Sequence, residues 1–115
     1  MEANPTPKRL EFRGTARDDL RAFPPDARLD AGQELYRVQL GREPKDFKSM
    51  PSIGAGVNEI RIATEGEAFR VLYVAKFADA IYVLHCFEKK TQKTSRKDIA
   101  LAERRYRQLK EDLKR

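Results

Sequence analysis

One cysteine and one histidine, side by side at Cys86 and His85, are all that the 115 residues hold of either type. A lone cysteine closes no internal disulfide, so nothing points to an exported, disulfide-stapled scaffold. The two together cannot build a closed zinc site from imidazole and thiolate ligands. No apolar run approaches the roughly 18 residues of a membrane span. The opening "MEANPTPKRLEF" lacks the apolar stretch of a signal peptide. A cytoplasmic chain without membrane contact is therefore expected. Familiar catalytic signatures are missing too. "SIGAG" has two glycines but not the Lys-Ser/Thr that completes a phosphate loop, and neither H-E-x-x-H nor G-x-S-x-G occurs. No cofactor and no metal is expected.

Positive charge is present in excess, and unevenly. The chain is +6 overall. Residues 1–88 carry 13 basic and 14 acidic residues, a net of −1, whereas residues 89–115 carry 11 and 4, a net of +7. Such a concentration suits a polyanionic partner such as nucleic acid. A solvated basic helix is the plainer reading, because charge speaks to association and not to fold.

At this length the chain is one domain. Residues 1–8, with Pro5 and Pro7, read as a loose tail, and residues 9–115 as the domain. "RLEFRG" alternates Leu10 and Phe12 with charges, as a short strand does. Thr15 and Asp18 stand at capping-box spacing, so a helix is expected from Ala16 until Pro24-Pro25. A second runs from Pro25 to about Leu40, with Ala27, Ala31, Leu35 and Val38 facing inward and Gly41 as its C-terminal cap. Arg42 to Gly56 reads as a loop. Three strands follow, "VNEIRIAT", "AFRVLYVAKF" and "AIYVLHCFEKK", joined by short turns that imply an antiparallel meander. Ser95 and Asp98 form a second capping box. Ile99, Ala102, Tyr106, Leu109 and Leu113 then mark the inner stripe of an amphipathic helix whose other face bears Arg104, Arg105, Arg107 and Lys110. The pattern strand, helix, helix, three strands, helix is a small α+β domain with one antiparallel sheet.

The candidate chemistry lies in cations on the strands and a loop: Lys45, Lys48, Arg61, Arg70, Lys89, Lys90 and Lys93. A turn near Gly66 sets Arg61 and Arg70 opposite each other, a clamp for phosphate oxygens. Spacing alone also allows each to pair with a carboxylate, Glu59 or Glu67. Strict alternation puts His85 with Val83 and Phe87, and Leu84 with Cys86, on opposite faces. His85 is then either a hydrogen-bonded core residue or an acid–base group. Cys86 reads as a small core residue.

"MPSIGAGVNEIRI", "AFRVLYVAKFADAIYVLHCFEKKTQKT" and "DIALAERRY" resemble, in that order, the RelE/ParE toxin superfamily. The narrower resemblance is to HigB-like toxins of the phage-derived type, over residues 10–109. It implies a RelE-like fold with the element order already read. It also implies the toxin of a type II toxin–antitoxin pair that enters the ribosomal A site and cuts mRNA. There a ribose 2′-hydroxyl attacks the adjacent phosphodiester. The implied partners are mRNA, the ribosome and a cognate helix-turn-helix antitoxin (HigA-like), with operator DNA reached only through the antitoxin complex. By the same resemblance Arg61, Arg70 and Lys90 match catalytic positions, with Lys89 adjacent and Lys45, Lys48 and Lys93 on the RNA path. Some ribonuclease members carry a histidine or tyrosine near the C-terminus, and "LKEDLKR" has neither. Tyr106 sits on the apolar stripe and is expected to be packed, leaving His85 as the one histidine available for catalysis. ParE-type members instead poison DNA gyrase, and a non-catalytic RNA- or partner-binding module of the same fold is a further alternative.

Overall fold

The computed structural model describes residues 6–115, so most of the tail expected over residues 1–8 lies outside the described residues. Its elements are β1 (Arg9–Phe12), α1 (Ala16–Arg21), α2 (Pro25–Gln39), β2 (Phe47–Ser49), β3 (Val57–Thr64), β4 (Glu67–Val74), β5 (Ala80–Glu88) and α3 (Arg96–Leu113). The five strands form one sheet in the order β1-β5-β4-β3-β2. The α+β class and the antiparallel β3–β4–β5 meander are as expected.

Two features correct the expected sheet. It is mixed, because β1 runs parallel to β5, with Leu10 beside Ile81 and Phe12 beside Val83. Two helices separate β1 from the meander, and that crossover returns the chain in the same direction. The stretch Arg42 to Gly56 is also not all loop. Phe47–Ser49 pairs with Asn58–Ile60 as a short antiparallel edge strand. Three residues between Pro44 and Pro51 carry no periodicity of their own, and they become a strand only because β3 offers an unpaired edge.

The sheet is covered on both faces. On one, α1 and α2 bury Leu20, Phe23, Ala27, Ala31, Leu35 and Val38 against Ile60, Ile62, Phe69, Val71, Ile81 and Val83. Pro25 opens α2 at N1. Gly41, at φ +83°, closes it in a Schellman arrangement, with Gly41 N donating to Val38 O at 2.9 Å and Arg42 N to Arg37 O at 2.9 Å. On the other face, Ala102, Tyr106 and Leu109 of α3 pack on Val57, Leu72, Val74, Tyr82 and Leu84. The Tyr106 hydroxyl donates to Ala55 O at 2.6 Å, and a Cβ at Gly54 would collide with the Tyr106 ring, so only glycine lets that loop close on α3. The Ser95–Asp98 cap forms as read, with Asp98 N donating to Ser95 Oγ at 3.1 Å. The Thr15 cap does not form. Thr15 lies at φ −89°, ψ 10°, outside the extended conformation an N-cap adopts. Its hydroxyl donates to Asp19 Oδ2 at 2.8 Å and accepts from Arg105 at 3.1 Å.

A β-bulge in β5 overturns the strict alternation. Leu72 pairs with His85 but Tyr73 with Val83, which leaves Leu84 unpaired. Val83 and Cys86 therefore share the α1/α2 core, while Leu84 and Phe87 belong to the α3 side. His85 turns to that side as well, where it meets Asp98 of α3. The carbonyl freed at Leu84 accepts from Arg105 Nη1 at 2.9 Å. Arg105 was expected on the open face of α3, but it is half-buried and straps α3 to β5 and to Thr15. Arg105→Ala is expected to cost about 1.5–3 kcal/mol, the range for hydrogen bonds to a charged group. Denaturant unfolding reads it directly. A loss under about 0.5 kcal/mol, the usual scatter of neutral surface changes, would remove the strap from this picture.

Candidate phosphodiester site

Beyond the N-terminus of α3, the sheet carries a polar patch that the helix does not cover. Its rows follow from register. Lys48 stands opposite Glu59, Glu59 opposite Leu72, and Leu72 opposite His85. In the next row Arg61 stands opposite Arg70, and Arg70 opposite Phe87. One step further, Lys89 N donates to Ala68 O at 2.7 Å, which extends the ladder and sets Lys89 beside the arginine row. Directly opposed residues hold their Cβ atoms about 4.5–5.5 Å apart, so the arginine pair is fixed by backbone pairing rather than by side-chain choice.

Glu59 organises the cations. It is 2% exposed. Its Oε1 lies 3.5 Å from Arg70 Nε and 4.0 Å from Arg61 Nε, and its Oε2 accepts from the Thr94 hydroxyl at 2.8 Å. Neither arginine Nε makes a hydrogen bond, so the contact is a shared charge interaction and not a bidentate fork. Arg70 Nη1 donates to Phe69 O at 2.8 Å. Both guanidinium groups are thus held at one edge by Glu59. Glu67, the other carboxylate considered for them, pairs with neither.

Burial pushes the Arg70 pKa below its ordinary value, with Glu59 pulling back up and Arg61 pushing down again. Lys89 is also lowered, by burial first and then by Arg70, with Glu59 opposing and Arg61 and Lys48 adding to the depression. One patch therefore brings together Arg61, Arg70, Lys89 and Lys48.

The remaining sequence candidates lie around this patch. Lys90 is exposed, on a cavity of about 220 Å³ shared with Phe87, Lys89, Ser95 and Asp98. Lys93 is exposed in the turn that follows. Lys45 lies just before β2, in a cavity it shares with Arg61 and with three carboxylates, Asp30, Glu34 and Asp46. His85 is 6% exposed; its Nε2 is 2.7 Å from Asp98 Oδ1, its ring stacks on Phe87 at 4.8 Å, and its Nδ1 has no partner. Asp98 also accepts from Ser95 Oγ at 2.6 Å, so the cap of α3 and the histidine share one carboxylate. Burial pushes the Cys86 thiol far up, which leaves it inert at neutral pH. Among the described residues no group of His, Cys, Asp or Glu is arranged to hold a metal, and no helix is long and apolar enough to cross a membrane.

From the sequence Glu59 stands out only as an alternative partner for the arginines, and Thr94 and Asp98 do not stand out as site residues. The signals were present. Glu59 alternates with Arg61 on one strand face, and Asp98 is the third residue of the capping box.

Comparison with curated proteins finds no match. Against protein families, residues 18–107 match the family described as Phage derived protein Gp49-like (DUF891). That span runs from α1 into α3 and takes in every candidate site residue. The chain belongs to this Gp49-like phage-derived family, a toxin family of the RelE/HigB-like toxin–antitoxin group, which implies an antitoxin partner.

Proposed function

We propose that the chain is a HigB-like, ribosome-dependent mRNA endonuclease that arrests translation until a HigA-like antitoxin binds it. The observation that carries this reading is the opposed pair Arg61 and Arg70, held by register on an open sheet face with Lys89 beside it. Two guanidinium groups on a rigid sheet suit a phosphodiester, and they can stabilise the charge that builds on its oxygens.

The reaction is an internal transfer. The ribose 2′-oxygen forms a bond to the adjacent phosphorus while the bond from phosphorus to the 5′-oxygen breaks. The 2′-hydroxyl proton passes to a base and the departing 5′-oxygen gains one. The products are a 2′,3′-cyclic phosphate and a 5′-hydroxyl. Arg70 and Arg61 hold the phosphate, Lys89 exchanges protons, and Lys90, Lys93 and Lys48 contact the flanking backbone. His85, buried and bonded to Asp98, supports the wall of the site instead of touching the phosphate.

Lys89 gives this scheme a pH signature. A lowered pKa leaves more neutral amine as pH rises, so kcat/KM is expected to climb through that pKa. Glu59 is among the groups holding the proton on, so Glu59→Gln should move the rising limb to lower pH. Lys89→Gln should flatten it; an unchanged limb in that variant would remove Lys89 from proton transfer.

A purified translation system separates the ribosome from gyrase as target. Stalled ribosomes on cleaved mRNA are expected, with DNA relaxation and supercoiling by gyrase unaffected. Gyrase-dependent DNA breaks with intact mRNA would overturn the reading in favour of a ParE-like toxin. Neither effect would indicate a non-catalytic module.

A further inference from the structure

The proposed chemistry uses the N-terminal end of α3 and leaves its outward face without a role. That face is charged over most of its length. Arg96, Lys97, Arg104, Arg107 and Lys110 are all exposed, and none is in an ion pair among the described residues. The charges that would offset them are occupied or set aside. Asp98 is held by His85 and Ser95, Glu111 is paired with Lys114 at 3.5 Å, and Glu103 is half-buried. From residue 96 to residue 110 the stripe is about 21 Å long at 1.5 Å per residue. It begins where Lys90 and Lys93 leave the site and ends where Lys110 and Lys76 both lie near the Tyr106 ring, at 4.8 and 5.9 Å. The opposite layer is balanced: residues 16–39, spanning α1 and α2, carry four basic and five acidic side chains.

We propose that the outward face of α3 is a track for the sugar–phosphate backbone of folded RNA, separate from the cleavage site and continuous with it. Unpaired cations along one exposed helix face, with no large apolar side chain among them, suit phosphates, whose binding depends on charge number and the release of counterions. A lipid surface fits poorly, because a membrane-binding helix turns an apolar face outward, and the apolar face of α3 is spent on the sheet. Arg105 is the one arginine of this helix that does not belong to the track, being turned inward to Leu84 O. The track deepens the ribosome reading by giving the chain a grip on the ribosome that is independent of the mRNA it cuts.

The test is binding without cleavage. Small ribosomal subunits free of mRNA serve as the probe, and affinity is followed against salt for the full chain and for the triple variant Lys97→Gln, Arg104→Gln, Arg107→Gln. All three positions are exposed, so the fold is expected to hold, and a thermal melt checks it. Loss of three phosphate contacts should lower the slope of log affinity against log salt by about two and weaken binding about tenfold or more. The charge-preserving variant Lys97→Arg, Arg104→Lys, Arg107→Lys should keep the slope of the parent. An unchanged slope in the glutamine variant overturns the inference. So does a variant that keeps subunit binding but loses affinity for the antitoxin or for poly-glutamate, since the face would then dock an acidic protein. A parent that fails to bind subunits overturns it as well. A parent that binds them through this face yet never cuts mRNA leaves the track standing and removes the nuclease reading.

Discussion

Replacing Arg70 by alanine is expected to lower mRNA cleavage about 10²–10³-fold, the scale of losing one preorganised donor to transition-state charge. Arg70 is singled out over Arg61 by its surroundings. Its side chain is 11% exposed against 38%, and Phe69 O and Glu59 fix its direction. A guanidinium held in a half-dry site has little solvent to displace before it meets the phosphate, so its charge acts at closer to full strength. Arg70→Lys keeps one positive charge but loses the planar fork, and should recover only part of the rate. The antitoxin complex and the circular dichroism spectrum should be unchanged in both variants. A fully toxic Arg70→Ala protein would detach this residue from the chemistry.

Glu59→Ala is expected to destabilise the fold by about 3 kcal/mol, the lower end for removing one partner of a buried ion pair, because Arg61 is exposed enough to turn to water. Arg70 cannot turn so easily, and Thr94 loses its acceptor at the same time. For a domain of about this size such a loss lowers Tm by roughly 10–20 °C. Replacing both members, as in Glu59→Leu with Arg70→Leu, should restore much of that, since apolar isosteres often match a buried pair. A Glu59→Ala protein that melts with the parent would mean that Glu59 holds neither the arginines nor the loop through Thr94. Both substitutions break the buried pair and lower stability, since Arg70→Ala leaves Glu59 with only Arg61 and Thr94. Arg70→Ala is told apart by a loss of cleavage far larger than its loss of folded protein.

The layout of this fold is legible where local pattern and tertiary demand agree. The stripe Ala27, Ala31, Leu35, Val38 can face only one core, and Gly41 is placed where the helix needs a left-handed residue. The opposition of Arg61 and Arg70 follows from a two-residue turn at Glu65-Gly66, because hairpin register is set by turn length. What was not legible came from distant parts of the chain. The β2 strand exists because β3 has an open edge, and β1 runs parallel to β5 across a connection that holds two helices and three strands. The bulge at Leu84 has no sequence mark of its own. It depends on Arg105, 21 positions along, to satisfy the freed carbonyl. Strict alternation therefore put Val83 on the same face as His85, whereas the bulge sends them to opposite sides of the sheet. The same limit applied to the site. The basic run after β5 drew attention to Lys90, whereas the ladder bond from Lys89 to Ala68 brings Lys89 beside the arginines. Glu59 was visible as a partner, but one carboxylate serving two arginines and a threonine 35 residues away is a property of the folded sheet.

The most direct test is a map of mRNA 5′ ends after the chain is induced without its antitoxin, set beside the same RNA incubated with purified chain and no ribosomes. Cuts within translated frames, carrying 5′-hydroxyl ends, absent without ribosomes and absent in Arg70→Ala, are the expected result. Equal cutting of free RNA, or growth arrest with every transcript intact, would contradict a ribosome-dependent nuclease built on the Arg61–Arg70 pair.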